Sequence, residues 1–184
     1  MKTYFVALVP PPPLLQEISR IKDSFAENYG AIHALKLPPH ITLIPPFKIK
    51  TDDEYALITY LHKSVAKTEK FELLLDGYDA FAPRVIFINV LNPNPVKRIY
   101  DRLYETPGNL LPPKPERPLH PHITIATRDL SVPMFKRSFS NFKEKEFVAT
   151  FPVHSLFLFR HTSRNWEILA EIPFKGDVAI TPLS

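Results

Sequence analysis

Apolar and polar positions along the chain divide it into short strands and amphipathic helices. Short apolar runs predict strands, and apolar residues spaced three or four apart predict helices. The predicted strands are residues 4–9, 41–44, 71–81, 85–90, 122–126, 147–151, 154–159 and 166–172. Helices are predicted from residue 12 or 13 to about 28, from a capping-box sequence at 51–54 to 65, from 95 to 103 or 110, and over 132–142.

Prolines mark several ends of these elements. Pro45 and Pro46 are expected to close the strand 41–44, because proline cannot donate a hydrogen bond to a strand ladder. Segment 111–121 contains five prolines and predicts a stiff, extended loop.

The order of these elements predicts an α+β fold with mainly antiparallel sheets. Strands and helices mix without strict βαβ alternation. Each half of the chain contains a helix, a proline-rich segment, a His-Ile-Thr strand, a second helix and a strand pair. We therefore predict one bilobal domain over residues 1–184, with two pseudo-symmetric lobes around a central cleft and a C-terminal tail from about 175 to 184.

Composition excludes several classes of function. The 184 residues include no cysteine, so disulfides, thiolate metal sites and a cysteine nucleophile are excluded. The four glycines are too far apart to form a phosphate-binding loop, which argues against ATP- or NAD-dependent chemistry and predicts no cofactor. No apolar stretch is long enough for a signal-peptide core or a membrane span, so we expect a cytoplasmic protein. A net charge of +4 is compatible with an anionic ligand such as a nucleotide or an RNA end.

One tetrapeptide, Pro-His-Ile-Thr, occurs twice, at 39–42 and 121–124. Alternate residues of a strand point to one face, so His40 shares a face with Thr42, and His122 shares a face with Thr124. If the two halves are related by a pseudo-twofold axis, both pairs converge on one cleft.

Two imidazoles across a cleft suit attack on a phosphodiester. A neutral imidazole takes a proton from the attacking water or hydroxyl, and an imidazolium gives a proton to the leaving oxygen. Threonine hydroxyls donate to the non-bridging phosphoryl oxygens. This chemistry requires no metal, and the sequence does not tell which histidine is the base.

Other interpretations of the same residues stay open at this point. A single His-x-Thr on a strand is usually structural, and a chance repeat is possible. His120 and His122 have the spacing of two ligands on one side of a zinc ion, but the further ligands would come from distant parts of the chain. His120 is more simply a loop residue.

These motifs resemble those of a known family. Residues 39–43 and 120–125, which place the two motif histidines 82 residues apart, are similar to the paired motifs of the two-histidine (2H) phosphoesterase superfamily. That superfamily includes the RNA 2′,3′-cyclic phosphodiesterases, or 2′-5′ RNA ligases (LigT-like). Residues 81–88 resemble the family's central hairpin, and 156–159 with 166–169 resemble its closing strand pair.

The resemblance implies a fold, a reaction and a set of site residues. It implies a V-shaped cleft with the helices outside, and hydrolysis of 2′,3′-cyclic phosphate ends of RNA or nucleotides to 2′-phosphates, with weak 2′-5′ RNA ligase activity. The catalytic residues carried over are His40, His122, Thr42 and Thr124. The expected partner is RNA or a nucleotide bearing a cyclic phosphate, with no metal, no membrane and a monomeric state.

Three further residues are expected to bind substrate, each with a simpler alternative. Phe81 is placed to stack on a base or to lie in the core. Arg128 follows the second motif at a greater distance than is common in the family; it is placed to reach the phosphate or the next nucleotide, or to be a solvated loop charge. The same two interpretations apply to Arg160 and also to Arg84, which is not one of the three.

Two other functions remain as alternatives. The chain would also suit a non-catalytic RNA- or nucleotide-binding module. It would equally suit a 2H enzyme that acts on another small cyclic phosphate or on a 2′,5′-oligonucleotide.

Overall fold

The computed structural model describes residues 1–175, so the predicted tail lies outside the described residues apart from Lys175. The strands are β1 (Lys2–Leu8), β2 (Ile41–Ile49), β3 (Phe71–Phe81), β4 (Val85–Val90), β5 (His122–Ala126), β6 (Val148–Val153), β7 (Ser155–His161) and β8 (Trp166–Pro173). The helices are α1 (Pro12–Tyr29), α2 (Glu54–Val65), α3 (Asn94–Glu105) and α4 (Val132–Phe142), with short 3-10 helices at His33–Lys36 and Thr51–Asp53.

All eight strands form one curled sheet in the order β6-β3-β4-β5-β2-β1-β7-β8. Every neighbouring pair is antiparallel. The sheet divides into a first half-sheet, β2-β1-β7-β8, and a second half-sheet, β5-β4-β3-β6. These halves meet where Ile41 of β2 pairs with Ile123 of β5. The predicted α+β class with mainly antiparallel strands is therefore confirmed, and the two predicted lobes are halves of one continuous sheet.

The four helices cover one face of this sheet and enclose the main core. α1 contacts β5 and α4, whereas α3 contacts β2 and α2. Each of these two helices therefore crosses over: α1 follows β1 of the first half-sheet and packs on the second, and α3 follows β4 of the second half-sheet and packs on the first. Alternate strand residues, such as Val6 and Ile88, supply the apolar side chains of this core.

The opposite face carries a smaller cluster and an open surface. Phe5, Ala7 and Phe159 form this cluster, with Trp166 packed against it. Phe5 stacks on Phe159 with ring centroids 4.4 Å apart. This helix-free face is where the polar residues of both His-Ile-Thr motifs point.

Strand β2 is longer than predicted because it continues through Pro45 and Pro46 to Ile49. The pairing of β1 with β2 shifts register between Tyr4 and Val6, so both prolines lie in an irregular part of the ladder. A proline that faces such a bulge does not need to donate a ladder hydrogen bond.

The predicted capping box does not form. Residues 51–53 form a 3-10 helix, and α2 starts at Glu54 without a side-chain cap. The Glu54 carboxylate instead accepts hydrogen bonds from the Tyr4 hydroxyl at 2.6 Å and from Arg160 at 3.0 Å. The third helix also ends at Glu105, so Leu110 lies outside it, although Leu110 still packs partly buried against the core.

The junction of the half-sheets makes a direct stability prediction. Ile123 is fully buried there, and replacing it with alanine leaves a cavity. We expect Ile123→Ala to lower the free energy of unfolding by about 2–5 kcal/mol, measured by urea denaturation. The control Ile32→Ala, at a position 62% exposed, is expected to change it by about 0.5 kcal/mol or less. Equal effects of both substitutions would contradict this account of the junction.

Candidate active site

The two His-Ile-Thr triplets lie side by side where the half-sheets meet. Ile41 pairs with Ile123 in antiparallel register. In an antiparallel pair the two strands run in opposite directions, so the residue after Ile41 lies opposite the residue before Ile123. Thr42 is therefore beside His122, and His40 is beside Thr124. Because alternate residues of a strand point to opposite faces, these four polar residues occupy the open face while both isoleucines are buried in the core.

This register makes the two histidines diagonal neighbours. Diagonal neighbours in an antiparallel pair lie roughly 7–8 Å apart, with their Cβ atoms somewhat closer. The two imidazoles therefore lie on the same part of the open face. Burial is the main cause of the low pKa of His40, and the positive charge of protonated His122 adds to it, as expected for rings that share one site.

Each imidazole ring is held by an equivalent hydrogen bond to the backbone carbonyl two residues before it. Nδ1 of His40 donates to the carbonyl of Pro38 at 2.7 Å, and Nδ1 of His122 donates to the carbonyl of His120 at 2.6 Å. A carbonyl oxygen only accepts, so Nδ1 carries a proton in both rings. The other nitrogen, Nε2, is therefore the atom that accepts a proton from a neutral ring or donates one from a charged ring.

Buried phenylalanines support each ring within its own half-sheet. Phe5 contacts His40 with ring centroids 5.2 Å apart, and Phe87 contacts His122 at 4.8 Å. Phe81 adds an edge-on contact with His122 at 5.3 Å. These apolar contacts restrict the rotation of both imidazoles and reduce their exposure to water.

Burial lowers the pKa of both histidines. The pKa of His40 falls to about 4, chiefly because burial disfavours the charged ring; the hydrogen bond to Pro38 opposes this, and the charges of Lys22 and His122 add to it. Burial also lowers the pKa of His122, opposed by its bond to His120 and reinforced by the His120 ring. In the absence of an anionic ligand, both rings are therefore mainly neutral at pH 7.

A cavity of about 590 Å³ opens beside the motifs and is mostly apolar in character. Thr42, His122 and Phe81 line it, which brings three of the predicted site residues together. Phe81 is 43% exposed, so its ring is available to a ligand even though it also packs on Phe87.

The sequence analysis missed one wall of this cavity. Arg117 and Leu119 from the proline-rich segment 111–121 line it, together with Tyr100 from α3. The five prolines directly before the second motif were a usable signal, because a stiff segment that ends at the strand carrying that motif holds a fixed position beside it.

The structure does not bring Arg160 to the cleft. Its guanidinium group forms ion pairs with Glu54 at 3.0 Å and with Glu167 at 2.7 Å. Glu54 begins α2, so Arg160 points to the helix-covered face, opposite to its neighbour Phe159.

Arg128 lies beyond the end of β5 with a left-handed backbone conformation, φ 64°. Burial lowers the pKa of His33 in the 3-10 helix, and the charge of Arg128 adds to this effect. The adjacent Asp129 accepts a hydrogen bond from the His33 backbone at 2.6 Å. Arg128 therefore lies near the segment that precedes the first motif. A substrate-binding role for Arg128 or Arg160 stays a prediction.

The zinc interpretation requires additional ligands beside His120 and His122. His120 is exposed and contacts the ring of Phe81 edge-on at 5.2 Å. Within residues 1–175, no group of three His, Asp or Glu side chains is arranged to hold a metal ion.

Comparison with known sequences identifies the family. Residues 10–165 match the model of the 2′-5′ RNA ligase superfamily, and the chain belongs to that superfamily. A candidate phosphoesterase of Geobacillus sp. strain WCH70 is 31% identical over 129 residues, which cover 69% of each chain. A candidate phosphoesterase of Bacillus licheniformis is 25% identical over 115 residues, which cover 61% of this chain and 66% of that protein.

Solved structures share the fold over nearly the whole chain. The TT0787 protein of Thermus thermophilus has a TM-score of 0.69 and 18% identity, covering 96% of this chain and 100% of that one. LigT of E. coli, solved in complex with 3′-AMP, has a TM-score of 0.60 and 16% identity, covering 94% and 98%. The fold is therefore LigT-like, as the sequence motifs predicted.

In the part of the chain that the structure describes, no helix is both long enough and apolar enough to span a membrane.

The depressed pKa of His40 can be measured directly. In an NMR titration we expect the His40 ring resonances to change with a midpoint near pH 4, because burial disfavours the charged ring. Loss of the signal in His40→Gln identifies the resonance. A midpoint at or above the ordinary histidine value of 6.5 would show that this environment does not suppress protonation.

Proposed function

We propose that this protein is a phosphodiesterase that hydrolyses 2′,3′-cyclic phosphate ends of RNA or nucleotides to 2′-phosphates without a metal ion. The observation that carries the proposal is the pair of imidazoles across the β2–β5 junction, each with Nδ1 bonded to a backbone carbonyl and Nε2 free. Membership of the 2′-5′ RNA ligase superfamily and the names of the sequence relatives support phosphoesterase chemistry.

His40 is the general base of this proposal. Its low pKa keeps Nε2 unprotonated near neutrality, so it accepts a proton from the attacking water. The water oxygen forms a bond to phosphorus, and the bond from phosphorus to O3′ breaks.

His122 is the general acid and supplies the proton that O3′ requires on leaving. Once the anionic phosphate lies beside His122, its negative charge raises the pKa of the imidazole and favours the protonated ring. The product is a 2′-phosphate with a free 3′-hydroxyl, and the two rings end with their protonation states exchanged.

The threonines hold the phosphoryl group during this step. Thr42 lies beside His122, and the register places Thr124 beside His40. Their hydroxyls donate to the two non-bridging oxygens, which keeps the attacking and leaving oxygens in line.

The cavity supplies a place for the nucleoside. The exposed ring of Phe81 offers a stacking surface, and Tyr100 and Leu119 add apolar walls. Arg117 at the rim is positioned for a neighbouring phosphate. Binding of nucleotides by LigT, as in its complexes with 3′-AMP and ATP, agrees with a nucleotide ligand here.

Substitution of either histidine tests the reaction. We expect His40→Ala and His122→Ala each to lower kcat/KM for 2′,3′-cyclic AMP by about 10²–10⁴-fold, because each removes one proton transfer. Turnover is followed by chromatography with excess chelator present. The control His62→Ala, on the exposed side of α2, is expected to keep full activity.

Two outcomes would reject this proposal. One is activity that survives the combined substitution of His40 and His122. The other is tight binding of cyclic nucleotides and RNA ends with no turnover by the unaltered protein, which would instead support a non-catalytic binding module.

The pH dependence of kcat/KM follows from the two depressed pKa values. The base must be unprotonated, so the rate falls as pH drops through about 4. The acid must be protonated, so the rate falls as pH rises through the pKa of His122, which lies below 6.5. We expect a bell-shaped profile of kcat/KM with its maximum between these limits. A maximum above pH 7 would contradict these roles.

A further inference from the structure

Helix α1 contains one residue that breaks its own amphipathic pattern. Its buried side chains are Leu14, Ile18, Lys22 and Phe25, which follow one side of the helix. Lys22 therefore occupies a core position, and its side chain is only 3% exposed. Of the residues that the structure describes, Lys22 has the one charged side chain that is buried.

The environment of Lys22 does little to stabilise its charge. Nζ donates to the backbone carbonyl of Leu37 at 2.5 Å. No ion pair within residues 1–175 includes Lys22, and Asp23 is the acidic residue whose charge favours its protonation. Lys22 also lines a cavity of about 170 Å³, together with Ser19, Asp23 and Pro38 among others.

Burial without an ion-pair partner is unfavourable for an ammonium group. It lowers the pKa of Lys22 to about 8. An apolar residue of similar length would avoid this penalty. Positions that break a local rule in this way are expected at functional or strained sites.

The contact of Lys22 lies directly behind the first motif. Leu37, whose carbonyl it binds, is followed by Pro38, whose carbonyl accepts the Nδ1 proton of His40. One buried ammonium group thus fixes the peptide segment that orients the imidazole. The charges that act on His40 are those of Lys22 from α1 and His122 from β5.

The second motif is held in a different way. The ring of His122 contacts Phe81 and Phe87, and the neighbouring charge that acts on it is that of His120. The described residues provide no buried lysine behind that motif. The two motifs therefore differ in their surroundings: a buried lysine lies behind His40, and none of the described residues provides one behind His122.

We propose that Lys22 is a positioning residue of the active site: it holds the Leu37–Pro38 backbone that orients His40 and places a fixed positive charge behind that ring. The charge disfavours protonation of His40 and so keeps the ring ready to accept a proton. The effect of Lys22 on catalysis rests on the proposed function. Its effect on the orientation and the pKa of His40 does not, because both can be measured without turnover.

The first test is an NMR titration of His40 in Lys22→Met. We expect the midpoint to move to higher pH by about 0.5–1 unit, since removing a nearby positive charge favours the imidazolium. The control Lys36→Met removes the same charge from an exposed position next to Leu37 and is expected to leave the midpoint unchanged. Lys22→Arg keeps the charge and is expected to keep the midpoint close to that of the unaltered protein.

The second test compares activity with stability. We expect Lys22→Met to move the acid limb of kcat/KM to higher pH by a similar amount and to lower kcat by about tenfold, while thermal stability at pH 6 does not decrease. A purely structural lysine would give the opposite pattern, with lower stability and an unmoved acid limb.

Two results would overturn the proposal: an unchanged His40 midpoint in Lys22→Met, or a shift of equal size in Lys36→Met. If Lys22→Met does not fold, Lys22→Gln is used in the same titration with the same criteria. A protein inert toward every cyclic phosphate would remove the proposed function, yet the titration would still decide the position and charge effect of Lys22.

Discussion

The site depends on one antiparallel contact, the pairing of Ile41 with Ile123 between β2 and β5. This contact joins the two half-sheets and sets their register at the same time. Since side chains alternate along each strand, burying both isoleucines places a histidine and a threonine on either side of each of them, on the open face. A slip of one residue in either strand would bury that strand's histidine and threonine and expose its isoleucine. The hydrophobic core therefore enforces the geometry of the cleft.

The surrounding structure removes most of the remaining freedom of the imidazoles. Proline-rich segments lead into both strands, and a carbonyl two residues before each histidine accepts its Nδ1 proton. Phenylalanines from the neighbouring strands pack against the rings. Burial by this packing favours the neutral imidazoles, and the Nδ1 hydrogen bonds select one tautomer. Buried Lys22 reinforces this on one side only, so a nearly symmetric pair of motifs acquires two different electrostatic environments. Such a difference is what a base and an acid require of two identical side chains.

Much of this arrangement could be predicted from the sequence because it depends on local properties. The period of two along a strand was enough to place His40 with Thr42 and His122 with Thr124. The α+β class followed from the order of elements, and the family from the two motifs in their context. The register between β2 and β5 could not be predicted, because pairing between residues so far apart depends on the whole fold.

Non-local contacts also explain the features of the structure that the sequence did not reveal. Arg160 resembled other exposed arginines in the sequence, but its partner Glu54 lies 106 positions away. Because the Glu54 carboxylate binds Arg160, it does not cap helix α2. Pro45 and Pro46 stay within β2 because the irregular register opposite them needs no ladder donor. The burial of Lys22 could not be predicted from the sequence either, because its role depends on a contact with Leu37, 15 positions away.

The most direct measurement of the central claim is a crystal structure of the protein with a nucleoside 2′-phosphate. Convergence of the two motifs predicts that Nε2 of His40 and Nε2 of His122 each lie within about 3.2 Å of an oxygen atom on the same phosphate or of the adjacent 3′-hydroxyl. A phosphate that contacts only one of the two imidazoles, or that binds away from the β2–β5 junction, would contradict the account.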